Sequence, residues 1–126
     1  MKSKYSLVLV TVPDEKTASK ITDTMLKQKL ASCVNAVDNI KSSYWWEDKI
    51  EHSGEILLMI KTTTALIPEL VSFVKDKHPY DTPEIISLDI TGGFNRYLDW
   101  IGSVCRTKAN AKIPKIPQIT KKSLGK

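Results

Sequence analysis

Few side chains in this sequence can do metal or covalent chemistry, and they stand far apart. The thiols and imidazoles are Cys33, His52, His78 and Cys105. None forms a short ligand pair of the C-x-x-C or H-x-x-x-H kind, so a metal site would have to be assembled from distant segments or across subunits. His78 and Cys33 are the candidate ligands, and each also has a plainer reading. His78, beside Pro79, suits the end of a helix, where an imidazole meets the negative end of the dipole. Cys33 suits a small buried apolar position on a strand. Glu47, Glu51 and Glu84 could serve as acid–base groups, but on a hairpin and a turn they read more simply as ion-pair partners. No nucleophile elbow, phosphate loop or dinucleotide fingerprint is present, and the expectation is a protein that is not an enzyme.

The densest cluster of large side chains is Tyr44-Trp45-Trp46, followed at once by Glu47-Asp48-Lys49-Ile50-Glu51. Aromatics so concentrated are costly to leave in water, so a core, a partner subunit or a ligand should cover them. The elements that position them follow from periodicity. Tyr5–Val12 is almost continuously apolar and reads as a strand buried on both faces. Asp14 and Glu15 start a helix that the spacing of Ala18, Ile21, Met25 and Leu26 carries from Glu15 to about Leu30. Cys33–Trp46 is extended, with a bulge expected at Asp38-Asn39. Glu47-Asp48-Lys49 reverses the chain, and Ile50 to Thr64 returns as a long strand, with an interruption expected at Ser53-Gly54. This hairpin is longer than a small domain needs for its own sheet. Ile67, Leu70, Val71 and Val74 mark a second helix that ends at His78-Pro79. Ile86, Leu88 and Ile90 alternate with polar residues in a half-buried fourth strand, and Tyr97 to Val104 forms a short third helix. The order βαββαβ plus a terminal helix is the α+β, ferredoxin-like split-βαβ pattern, an antiparallel sheet with helices on one face.

Charge divides the chain in two. The 126 residues hold 19 Lys/Arg against 14 Asp/Glu, but seven of the basic residues and none of the acids lie from Arg106 onward. Residues 1–105 therefore form a slightly acidic domain, and 106–126 a basic, proline-punctuated tail expected to be flexible. Nucleic-acid binding through the body is not expected. RNA-recognition domains of this topology need aromatics on the central strands, and apart from Tyr5 at the edge these strands carry none. An acylphosphatase-like activity fits poorly, since it needs an anion-cradling loop after the first strand and Thr11-Val12-Pro13-Asp14-Glu15 is acidic and lacks glycine. The apolar runs Leu7–Val10 and Ile56–Ile60 are too short to span a membrane, and no export signal is read at Met1–Tyr5. The expected location is cytoplasmic, with both cysteines as free thiols.

Five stretches then occur in an order that resembles one family. They are Leu30-Ala31-Ser32-Cys33-Val34-Asn35, Tyr44–Glu51, Glu55–Thr62, His78-Pro79-Tyr80-Asp81-Thr82-Pro83-Glu84 and Tyr97-Leu98-Asp99-Trp100-Ile101. Together they resemble CutA, the divalent-cation tolerance protein, over roughly residues 5–104. The resemblance implies a homotrimer similar in architecture to the PII signalling proteins, with edge strands paired between subunits and the long hairpin covered by a neighbour. It implies a link to divalent metals, Cu(II) above all. Two positions depart from the pattern of some bacterial members: Val10 stands where they carry a cysteine, and Lys77 where they carry the first of two histidines. His78 alone would remain of such a copper site, and one imidazole per subunit is a weak ligand set. The resemblance also implies an intersubunit cleft lined by Tyr44, Trp46, Lys49, Glu51, Lys61, Tyr80, Glu84, Tyr97 and Trp100. These same residues would equally serve to hold subunits together. The alternatives to a metal-response trimer are a PII-like module for a small anionic ligand and a trimeric scaffold whose basic tails engage an acidic protein.

Overall fold

A computed structural model describes residues 3–107. The sheet has four antiparallel strands in the order β2-β3-β1-β4, where β1 is Tyr5–Val12, β2 Cys33–Trp46, β3 Lys49–Thr63 and β4 Ile85–Asp89. Three helices accompany it: α1 (Glu15–Lys27), α2 (Ile67–Lys77) and α3 (Asn95–Val104). This is the ferredoxin-like arrangement expected from the order of the elements.

Each helix starts and stops for a local reason. The Asp14 carboxylate accepts from the Thr17 N–H at 2.8 Å and caps α1. That bond, more than any other influence, holds its carboxyl below the usual aspartate range. The first helix stops at Lys27 rather than Leu30, because Lys29 turns left-handed (φ 58°) and sends the chain back toward the sheet. Pro68 sits in the first turn of α2, where no N–H is missed. His78 leaves the helical conformation and ends it.

The core lies on one face of the sheet. Val8, Val10 and Val12 of β1 and Leu58 and Ile60 of β3 pack with Ile21 and Met25 of α1 and Leu70 and Val74 of α2. Strand β1 is thus buried on one face of the subunit, not on two. Its other side chains, Leu7 and Leu9, are half-buried, since α1 and α2 both lie opposite. Leu9 is in register with Met59 and Ile86, and Leu7 with Lys61 and Leu88. Partners in register share a face, so Leu7, Leu9, Leu57, Met59, Ile86 and Leu88 make a second apolar surface. Ile86 and Leu88 are 51% and 48% exposed there. The fourth strand was expected to be half-buried by these residues; its apolar side faces this open surface instead. The helices do not all share one side either, because Tyr97 and Leu98 of α3 meet Leu7, Met59 and Lys61 at one end of the open face.

The first strand of the hairpin keeps its expected boundaries, Cys33–Trp46, while the second runs from Lys49 to Thr63 rather than from Ile50 to Thr64, because the turn takes two residues and not three. Glu47 and Asp48 form a two-residue turn with φ of 48° and 62°, the left-handed pair that matches strand twist in a tight hairpin. No interruption occurs at Ser53-Gly54; Gly54 pairs regularly with Lys41. The expected bulge is present. Val37 pairs with Leu57 and Ile40 with Glu55, which leaves one extra residue on β2, and Asn39 adopts φ 60°. An extra residue reverses side-chain alternation. Beyond the bulge, Tyr44 and Trp46 therefore share a face with Glu51 and Lys49, while Trp45 and Ile50 take the other. Trp45 is 73% exposed and Ile50 58%, so the arm carries apolar surface on both sides.

Candidate functional site

The sequence-derived site residues fall into three places within a subunit. The first lies where β1 ends. The His78 ring is buried; its Nε2–H donates to the Thr11 carbonyl oxygen at 2.8 Å, and its Nδ1 accepts from the Tyr80 N–H at 3.1 Å. A carbonyl can only accept and an amide N–H can only donate, so these two bonds fix one neutral tautomer. The Tyr80 ring lies 4.7 Å from the imidazole, and its hydroxyl donates to Glu55 Oε2 at 3.0 Å. Burial raises the Tyr80 phenol to about 12; the Glu55 hydrogen bond and charge add to it, followed by Tyr44 and Asp14. Tyr44 thus belongs to the electrostatic surroundings of Tyr80.

The second place is the opposite end of the same strands. Cys33 pairs with Lys61, which is in register with Leu7. Cys33 is half-buried rather than the fully buried apolar residue expected, because it faces the open side of the sheet. It also hydrogen-bonds Tyr97. Desolvation raises the Tyr97 phenol to about 12, with Cys33 as the further cause. Tyr97 stacks at a tilt on Trp100, with ring centroids 5.6 Å apart. A groove of about 480 Å³ opens here, walled by Leu7, Met59, Phe94 and Leu98, with Lys61 and Tyr97 among its lining.

The third place is the arm. Trp46 pairs with Lys49 and Tyr44 with Glu51, and the Tyr44 hydroxyl bonds Ser53 Oγ at 2.7 Å. Glu84 lies in the loop before β4 and is exposed. A single subunit therefore places Lys61 and Tyr97 along one groove and Tyr44, Trp46, Lys49 and Glu51 along the arm, but does not bring the nine cleft residues together.

The two candidate metal ligands do not meet. His78 bonds at Thr11, four residues along β1 from Leu7, where Cys33 and Lys61 lie; strand rise makes that roughly 13 Å. Both imidazole nitrogens already hold partners, and a metal could take Nδ1 only by displacing the Tyr80 amide. Among the described residues no three His, Cys, Asp or Glu side chains are grouped to hold a metal ion. The residues of one subunit thus do not fit a copper centre. His52, set aside in the sequence, lies on the arm with Nδ1 2.8 Å from Ser43 Oγ.

Residues missed in the sequence include Glu55 and Phe94. Glu55 is a buried carboxylate, and its one visible signal was an acid abutting the apolar run Ile56–Ile60. Phe94, 71% exposed at the groove, carried no periodic signal.

The profile of the family described as CutA1 divalent ion tolerance protein matches residues 6–104. The chain belongs to the CutA family. A CutA of Thermus thermophilus, named as a divalent-cation tolerance protein, is 43% identical over 95 residues, covering 75% of this chain and 92% of that one. The chloroplastic CutA 1 of rice, Oryza sativa subsp. japonica, is 43% identical over 100 residues, covering 79% of this chain but 56% of its own length. The crystal structure of CutA1 from Oryza sativa superposes with a TM-score of 0.80 at 41% identity, covering 83% of this chain and 96% of the other. The CutA match ends just before Arg106, yet Arg106 is anchored to the body. Its N–H donates to the Lys29 carbonyl at 3.0 Å, and its guanidinium meets Glu69 at 2.6 Å. The tail from residue 108 onward lies outside the described residues. Among the described residues no helix is long and apolar enough to cross a membrane.

Proposed function

We propose that the chain is the subunit of a cytoplasmic CutA homotrimer that acts in the response to divalent cations, as a binding protein and not as an enzyme. One observation carries this reading: the open face of the sheet is as apolar as the covered one, and among the described residues no helix but α3, at one end, lies over it. Leu9, Leu57, Met59, Ile86 and Leu88 form a continuous surface of the kind that marks a subunit interface. The arm adds Trp45, Trp46 and Ile50, and a neighbouring subunit would cover one or both of its sides. Association would also bring one subunit's arm residues toward another's Lys61 and Tyr97, as an intersubunit cleft requires.

Copper, if it is the cation, binds weakly in this reading. His78 would have to give up one of its two hydrogen bonds, and Val10 and Lys77 supply no replacement ligand. Native mass spectrometry with and without Cu(II) tests both parts. The expected spectrum shows three chains per particle and a small, saturable copper uptake that His78→Ala reduces. A monomer refutes the assembly, and copper uptake that is never saturable refutes the metal site. A second reading, a PII-like module for a small anionic ligand, is favoured by the groove beside Lys61. A scaffold role, in which the basic tail binds an acidic protein, predicts that deleting residues 108–126 abolishes capture of that partner and leaves the oligomeric state unchanged.

A further inference from the structure

The basic tail carries a pattern that its charge conceals. Ile113-Pro114-Lys115-Ile116-Pro117-Gln118-Ile119 repeats isoleucine at every third position, with a proline directly after the first two. Each proline fixes its own φ and pushes the residue before it away from helix, which favours polyproline II at three residues per turn. At that period Ile113, Ile116 and Ile119 line one edge over roughly 19 Å. Pro114 and Pro117 line a second edge, and Lys115 and Gln118 the third. These positions lie outside the described residues, so the pattern is one of sequence.

The groove between α3 and the open face offers a matching surface. Leu7, Met59, Ile90, Phe94 and Leu98 wall it, and its volume is about 480 Å³. Phe94 is 71% exposed there. Gly92 lies in the lining, and among the described residues nothing stands within 4 Å of where a Cβ would project from it. The root of the tail is fixed at the same end of the sheet. The Arg106 N–H donates to the Lys29 carbonyl at 3.0 Å, and three residues on from Lys29 the Ser32 N–H donates to the Lys61 carbonyl at 2.9 Å. Lys61 lines the groove. These links put Arg106 within roughly 17 Å of the lining, while the ten steps from Arg106 to Ile116 reach roughly 33 Å.

We propose that the tail segment 113–119 docks back onto its own subunit, with its isoleucine edge in the groove beside α3 and Ile116 against Met59 and Phe94. Segments of polyproline II suit apolar grooves faced by aromatics, because their backbone is extended and ordered at little entropic cost. The short tether keeps the segment at high local concentration, so a small contact is enough to hold it. It also makes the subunit's own groove the nearest one. Lys115 and Gln118, on the third edge, stay in water, and the tail keeps its positive charge on display. A docked tail covers Phe94 and the α3 end of the open face, and it excludes the small anionic ligand of the second reading from this groove. The docking uses none of the His78, Tyr80 and Glu55 network and does not rest on a cation-linked role.

Photo-cross-linking of the full chain in its native assembly tests this, with p-benzoylphenylalanine in place of Ile116. Peptide mass spectrometry after irradiation should place the cross-link on Met59, Phe94 or Leu98, and the product should run as a single chain on a denaturing gel. Amide hydrogen exchange of the chain without the cross-linker is the second readout. The Tyr97 and Leu98 N–H groups donate to the Phe94 carbonyl at 3.0 and 3.1 Å, so a tail docked on Phe94 slows their exchange. Ile116→Asp should speed that exchange at least roughly tenfold. Lys115→Gln, on the polar edge, should leave it unchanged. A cross-link joining two chains overturns the proposal and gives the groove to a neighbour's tail. Attachment outside the groove, or none, also overturns it, as does exchange that Ile116→Asp leaves unaltered. An equal effect of Lys115→Gln overturns it too, since the contact would then be one of charge.

Discussion

The two faces of this sheet are built from the same kinds of residue and end in different states. On one, Val8, Val10, Leu58 and Ile60 are wholly buried beneath α1 and α2. On the other, Leu7, Leu9, Leu57 and Met59 are half-buried, while Ile86 and Leu88 are about half exposed. Apolar character alone therefore does not say what covers a strand. Among the described residues α1 and α2 cover one face, and only α3, at one end, lies over the other. The expectation that β1 is buried on both faces therefore fails within the subunit, and an assembly of the proposed kind is what would bury the second face.

The contrast can be broken by asking which face the subunit fold depends on. Leu58→Ala on the covered face should cost about 2–5 kcal/mol, because the lost contacts leave a cavity that α1 and α2 cannot close. Chemical denaturation at fixed protein concentration measures it. A loss below about 1 kcal/mol would mean that the helix-covered core is not the main stabilising element. Leu88→Asp on the open face should leave the secondary structure of the isolated chain intact. It should dissociate the assembly, because a charge would be buried without a partner in the interface. Sedimentation reads this directly, and an assembly that tolerates the aspartate would remove the open face from the interface.

The bulge sharpens the comparison, since it decides which arm residues continue the open face. Asn39 holds a left-handed conformation that alanine adopts at a cost, so Asn39→Ala should lose roughly 1 kcal/mol. It should weaken assembly as well if Tyr44 and Trp46 are contact residues. A destabilised protein with unaltered assembly would separate the arm from the interface.

The smallest effect is in the alkaline range. Tyr80 and Tyr97 are both raised from the ordinary tyrosine value to about 12, each mainly by burial. A phenol whose folded value is raised contributes stability that is whole below the unfolded value, near 10, and is lost as pH rises toward 12. Stability should therefore fall across that window, and the Tyr80→Phe/Tyr97→Phe variant should show a shallower fall. Absorbance titration of the phenolates checks the values. Ionisation of both groups near 10 would contradict the part-buried hydrogen bond to Glu55 and the Cys33 bond of Tyr97.

The hairpin was the most legible part of the molecule. Its ends at Cys33 and Trp46, its turn and its bulge all follow from local rules: alternation, a charged reversal, and Asp-Asn at a position that needs an unusual φ. The end of α1 was less legible, because Lys29 takes a left-handed conformation that glycine or asparagine would have announced. The face on which each strand is covered could not be read, since that depends on where helices distant in sequence dock. The site was legible as a set of residue types but not as a geometry. His78 was visible as a possible ligand, whereas its two hydrogen bonds depend on Thr11, 67 residues away in the chain. Glu55 joins Tyr80 across 25 residues in the same manner.

Sedimentation equilibrium of the wild-type chain over a dilution series tests the central claim most directly, that the open sheet face is an interface between copies of this chain. The account predicts a particle of three chains that persists on dilution to the lowest concentrations measurable. A stable, folded monomer, with Ile86, Leu88 and Trp45 in water, would contradict it.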